Sequence, residues 1–181
     1  IASQNGYPDK DYKALVERLR SGFPEAKYID ISGLLSADDF YYTDSHWRQE
    51  RITKVADEIT AQMGAERIGT CEIQDTGRPF YGVYYGQAAL PHAPERLFYL
   101  DNAVIRGLKV YNVETQSDIP VYDLGAAAGR DPYEMFLGGA RSIIKITNPN
   151  AAKERRLIVF RDSFGSSIAP LLAAGYSEIT L

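Results

Sequence analysis

Residues 156–175, RLIVFRDSFGSSIAPLLAAG, restrict the possible folds more than any other stretch of this chain. A short run of β-forming residues meets a polar turn and then a segment of helical length rich in alanine and leucine. That strand–turn–helix order belongs to α/β architecture. Proline is tolerated in the first turn of a helix, where backbone N–H groups have no intrahelical acceptor. Pro170 therefore predicts a helix start near Gly165 to Ser167, which leaves Ser163 in the turn at the carboxyl end of the strand. Ligands of open parallel sheets bind at that edge, and a helix N-terminus favours negative charge. The same Asp162-Ser163 pair also suits a plain helix N-cap.

The rest of the chain fits a single α/β domain with an insertion. Residues 9–21 place Tyr12, Leu15, Val16 and Leu19 on one helical stripe that stops at Gly22 and Pro24. KYIDI (27–31) reads as a short strand. A second helix is predicted from Trp47, with Ile52, Val55, Ala56, Ile59 and Met63 on one face and Gly64 as its stop. From about 66 to 123, runs such as RLFYL and GLKVYNV alternate with turn signals, which predicts a β-rich insertion without a helix. Helical character returns at 131–137, SIIKI (142–146) and RLIVF (156–160) read as buried strands, and SEITL reads as another. The chain opens on Ile1 rather than Met and stops inside that strand, as expected of a piece of a longer protein.

A serine at the strand–helix junction needs a base before it can attack anything. The chain holds two histidines, and one of them stands in YYTDSHWRQERI, residues 41–52. Asp44 and His46 are separated by one residue. On a helix such positions diverge, but in an extended or turn segment they project to one side. Asp44 thus reaches His46 if the helix begins after the motif. Base and acid together give the arrangement that activates a serine hydroxyl. The plainer alternative makes Thr43 or Asp44 an N-cap, His46 a surface residue and Trp47 core packing.

These segments resemble the DHHW proteins of Gram-positive bacteria. YYTDSHWRQERI carries the D-x-H-W signature, and FYGVYYG, MFLGGARSIIKITNPNA and VFRDSFGSSIAPLLAAGYSEITL are similar to further blocks in the same order, from about Tyr7 to the C-terminus. That family is similar to alginate O-acetylation proteins and to the SGNH (GDSL-like) hydrolases, with the motif order permuted. The resemblance implies a three-layer α/β/α flavodoxin-like parallel sheet, an extracellular or cell-envelope address, and serine-dependent esterase or O-acyltransferase chemistry on cell-surface carbohydrate. It implies Ser163 as nucleophile, His46 as base and Asp44 as orienting acid. Gly139, Asp162, Arg161, Trp47, Tyr84 and Tyr85 are expected to supply oxyanion contacts or to line the substrate site. One departure stands out: LGGAR has Ala140 where such hydrolases carry an asparagine that donates to the oxyanion, and loss of one donor costs about 100- to 1000-fold in rate. Gly139 and Ser163 still offer backbone N–H groups. The alternative is a catalytically inactive envelope protein that binds glycan or a partner enzyme.

Composition narrows the partners. A net charge of −4 argues against nucleic acid or an anionic membrane as the main partner, although an anchor outside the chain stays open. One cysteine and two histidines give too few soft ligands for a zinc site, and no cofactor is implied. Thirteen tyrosines suit strands, or a sugar-stacking surface. Gly82 and Gly86 in the tyrosine-rich block suggest close backbone approach. His92, between two prolines, and Cys71 receive no role. The sequence leaves the oligomeric state open.

Overall fold

The computed structural model describes residues 11–88 and 92–181. It divides into two units, 1–30 and 31–181. The first holds helix α1 (Tyr12–Gly22), capped by Asp11, whose carboxylate accepts from the Ala14 N–H at 2.9 Å. Its end at Gly22 agrees with the stop expected from sequence, whereas positions 9 and 10 of the expected helix lie outside the described residues. KYIDI forms no strand.

In the second unit, α2 (Thr53–Gln62) precedes an antiparallel pair, β1 (Glu72–Phe80) and β2 (Glu95–Asp101). Two short helices, α3 (Val83–Ala88) and α4 (Ala103–Gly107), interrupt the region expected to lack any. Strands β3 (Lys109–Asn112), β4 (Ser117–Ile119), β5 (Ile144–Thr147), β6 (Arg156–Ile158) and β7 (Glu178–Thr180) form the main sheet in the order β4-β3-β5-β7-β6. Helix α5 (Ser163–Leu172) connects β6 to β7.

The fold is mixed α/β, and the expected parallel sheet is corrected. Only β6 and β7 run parallel; the other three pairings are antiparallel. A parallel neighbour requires a crossover of a dozen or more residues, usually through a helix, and here the α5 crossover joins the one parallel pair. Burial alternates along β5, where Ile144 and Ile146 are buried while Lys145 and Thr147 are exposed, and the same period appears in β3. One face of the sheet is therefore covered and the other open among the described residues, which differs from a three-layer sandwich. RLIVF is not buried either: β6 is an edge strand, with Ile158 70% and Phe160 99% exposed.

Helix boundaries moved for identifiable reasons. The helix expected from Trp47 starts at Thr53, because the Arg48 N–H is spent on the Asp39 carbonyl at 2.8 Å and Trp47 bridges Phe40. Residues Gln49–Arg51 make only a 3-10 turn, as do Pro132–Met135 in the segment expected to be helical. Helix α5 starts at Ser163, earlier than Pro170 suggested, since Asp162 caps it by accepting from the Phe164 N–H at 3.0 Å. Pro170 lies inside this helix, where it removes a single backbone bond.

Ile52, Val55, Leu137, Ile144, Ile146, Leu171 and Ile179 make the main core, each essentially inaccessible. A second cluster of Tyr41, Phe80, Leu97, Tyr133, Met135 and Phe136 packs separately, and Tyr41 and Tyr133 carry it to the 41–47 loop. Among the described residues no helix is long and apolar enough to cross a membrane.

Candidate active site

The 41–47 segment is a closed loop, not a helix start. Its ends are tied by the Tyr41 N–H to the His46 carbonyl at 3.1 Å. Inside it, Asp44 Oδ1 accepts from the His46 N–H at 3.0 Å and lies 2.5 Å from His46 Nδ1. The other oxygen, Oδ2, accepts from the Val83 N–H at 2.9 Å. Burial raises the Asp44 pKa. The hydrogen bonds from the His46 ring, the Val83 N–H and the His46 N–H oppose it, and the balance lies below the ordinary 3.8. The carboxylate is therefore ionised at neutral pH and holds the proton on Nδ1, which leaves Nε2 as an acceptor.

His46 Nε2 stands 2.6 Å from Ser163 Oγ across 117 residues of sequence. Ser163 occupies the first position of α5, where a backbone N–H has no intrahelical acceptor and the helix dipole is positive. Aspartate, imidazole and hydroxyl thus form one unbroken line of hydrogen bonds with the geometry of an activated nucleophile. Ser163 also lines a cavity of about 690 Å³ together with Asp162, Arg161, Ala140, Arg141, Ser142, Ile143, Ile158 and Phe160.

Other expected site residues divide. Asp162 and Arg161 line the cavity with Ser163. The Arg161 guanidinium donates to Ser166 Oγ at 2.7 Å and reaches the Gly139 carbonyl at 3.4 Å, and burial lowers its pKa despite Asp162 nearby. Gly139, at φ 74°, gives its N–H to the Phe136 carbonyl at 3.1 Å, so that donor is already occupied. Trp47 is a buried prop: its Nε1–H donates to Ser167 Oγ at 2.8 Å, and its ring meets Phe164 edge-on. Tyr84 and Tyr85 lie on α3 and do not line the Ser163 cavity; Tyr85 borders a different hollow with Tyr81 and Arg130.

Several residues that hold the site carried no sequence signal. Glu95 clamps the loop from 52 residues away, accepting from the Tyr42 N–H, the Thr43 N–H and the Thr43 hydroxyl at 3.0, 2.8 and 2.7 Å. Gln49 donates to the Ser167 carbonyl at 2.7 Å and accepts from the Leu100 N–H at 2.8 Å, joining the loop's exit to α5 and β2. Tyr133 stacks on the His46 ring. Gly82 was legible: a Cβ there would stand 2.2 Å from the Thr43 carbonyl oxygen, whereas Gly86 meets open space. We therefore expect Gly82→Ala to push the Val83 N–H away from Asp44 and to destabilise the protein by about 1–3 kcal/mol. Urea unfolding measures this, and an unchanged midpoint would contradict it.

Among the described residues, no group of three or more His, Cys, Asp or Glu side chains is placed to hold a metal ion. The site is that of a protein with a hydrogen-bonded Asp–His–Ser line at a strand–helix junction. The chain belongs to the DHHW protein family, whose pattern matches residues 34–181. Its fold is similar to that of a DHHW family protein from Eubacterium siraeum, with a TM-score of 0.72 and 19% identity over 98% of this chain. Similarity extends to Bacillus cereus PatB1 with a sulfonyl adduct, at a TM-score of 0.61 and 20% identity over 90% of this chain. The chain spans 63% and 56% of those two proteins, respectively. No curated protein matches it.

Proposed function

We propose that this chain carries a serine-dependent esterase or O-acyltransferase site of SGNH type, acting on acyl esters, acetyl foremost, of cell-surface carbohydrate. The observation that supports it is the continuous line from Asp44 through His46 to Ser163, with spacings of 2.5 and 2.6 Å. Ser163 Oγ attacks the acyl carbonyl carbon while His46 Nε2 takes the hydroxyl proton. Asp44 balances the charge of the imidazolium that results. Negative charge on the carbonyl oxygen meets the Ser163 N–H at the head of α5. Collapse of the tetrahedral intermediate breaks the ester bond, and His46 returns the proton to the departing alcohol. Water or a sugar hydroxyl then takes the acyl group by the reverse steps. No cofactor enters this sequence.

An extracellular or envelope setting follows from the family resemblance and is part of the same proposal. The sulfonyl adduct of B. cereus PatB1 is compatible with it, because sulfonylation requires a nucleophile. A second reading, a silent envelope protein that binds glycan or a partner enzyme, draws on Ala140 and on the occupied Gly139 N–H. A serine-directed fluorophosphonate separates the two. We expect mass spectrometry to find the adduct on Ser163 and none in Ser163→Ala; an unlabelled wild-type protein would favour the silent reading.

A further inference from the structure

We propose that Tyr133 is a positioning residue for His46, fixing the plane of its ring against the helix that bears Ser163. This rests on His46 as the base of the proposed reaction. Two in-plane hydrogen bonds, to Asp44 and Ser163, pin two points of the imidazole. The torsion that can spoil this alignment is about the Cβ–Cγ bond, and turning there swings the Nε2 lone pair off the hydroxyl. A flat surface against the ring removes that freedom. The phenol ring of Tyr133 lies 3.9 Å from the imidazole centroid at 13°, close to parallel, whereas Phe164 touches at 5.1 Å and 45°. An aromatic face also attracts the imidazolium that forms when the base takes its proton.

The tyrosine is itself held, at 3% exposure. Its hydroxyl donates to Ser167 Oγ at 2.8 Å, with the Trp47 carbonyl at 3.3 Å as a second acceptor. Ser167 Oγ also accepts from Trp47 Nε1 at 2.8 Å and donates to the Phe164 carbonyl at 3.1 Å, so its bonding capacity is filled. Burial raises the Tyr133 phenol far above its ordinary value, which keeps it neutral and donating. Ser163 and Ser167 stand four residues apart and share one face of α5. One helical turn therefore sets both the nucleophile and the support of its base.

Three variants test this: Tyr133→Leu, which loses the aromatic face; Tyr133→Phe, which keeps it; and Ser167→Ala, which loses the anchor. Tyr133→Leu is expected to lower kcat for a simple acetyl ester about 10- to 100-fold while KM moves less than about twofold, the scale of a misaligned catalytic group. The downfield proton resonance of His46 Nδ1–H should broaden or shift in that variant. Tyr133→Phe keeps the aromatic face and loses only the anchoring hydroxyl, so, like Ser167→Ala, it should fall between wild type and Tyr133→Leu in kcat, with a smaller change in the resonance. If Tyr133→Leu does not fold, Ser167→Ala carries the decision, with the resonance perturbed and kcat reduced. A folded Tyr133→Leu, or in its place Ser167→Ala, with the wild-type resonance overturns the proposal. The resonance needs no turnover, so a protein without esterase activity refutes the reaction and leaves the positioning claim decidable.

Discussion

Ser163→Ala should reduce turnover of a simple acetyl ester by about 10⁴-fold or more, the usual consequence of deleting a serine nucleophile. The loss is expected in kcat with KM little changed, because the hydroxyl acts on the reacting carbon and adds little to ground-state binding. Folding should survive. Asp162 supplies the cap of α5 through the Phe164 N–H at 3.0 Å, and alanine is well accepted in a first helical turn. A folded Ser163→Ala protein that hydrolyses the ester at the wild-type rate would remove the nucleophile assignment and the proposed chemistry with it.

A comparable effect is expected from Asp44→Asn, about 10³- to 10⁴-fold in kcat. The substitution preserves shape and removes charge. Where the carboxylate now accepts from the imidazole, the amide presents an N–H, and the ring answers by moving its proton to Nε2. That nitrogen then faces Ser163 as a donor and accepts nothing. The charge that would have balanced the imidazolium is also gone. Asparagine keeps one oxygen for the Val83 N–H, while the His46 N–H loses its acceptor at Oδ1; the bond from the Tyr41 N–H to the His46 carbonyl still ties the ends of the loop. Steady-state kinetics beside a thermal melt distinguishes this from collapse: normal melting with wild-type kcat would mean that Asp44 only shapes the loop.

Short-range features of this site could be read from the sequence, and long-range ones could not. The spacing of Asp44 and His46 allowed both to project from one turn on condition that the next helix began after them, and α2 begins at Thr53. Gly82 likewise betrayed a crowded backbone. By contrast, Tyr133 and Glu95 look like any buried aromatic or loop carboxylate until the fold brings them against His46 and Thr43. The α5 start was misjudged because a buried helix tolerated Pro170 in its interior, its other contacts outweighing one missing bond. A short apolar run identified β5, but no local pattern reveals whether a neighbour runs parallel or antiparallel. Only the α5 connection carried that information, and it governs one pair of strands. In β6 the apolar letters promised burial that an edge position withheld.

The 117 residues between His46 and Ser163 also have a meaning in time. Synthesis runs from the N-terminus, so the imidazole emerges before its hydroxyl partner. A polypeptide that ends before Ser163 consequently carries the base without its partner. Any reactivity of the pair therefore waits for the segment that carries α5.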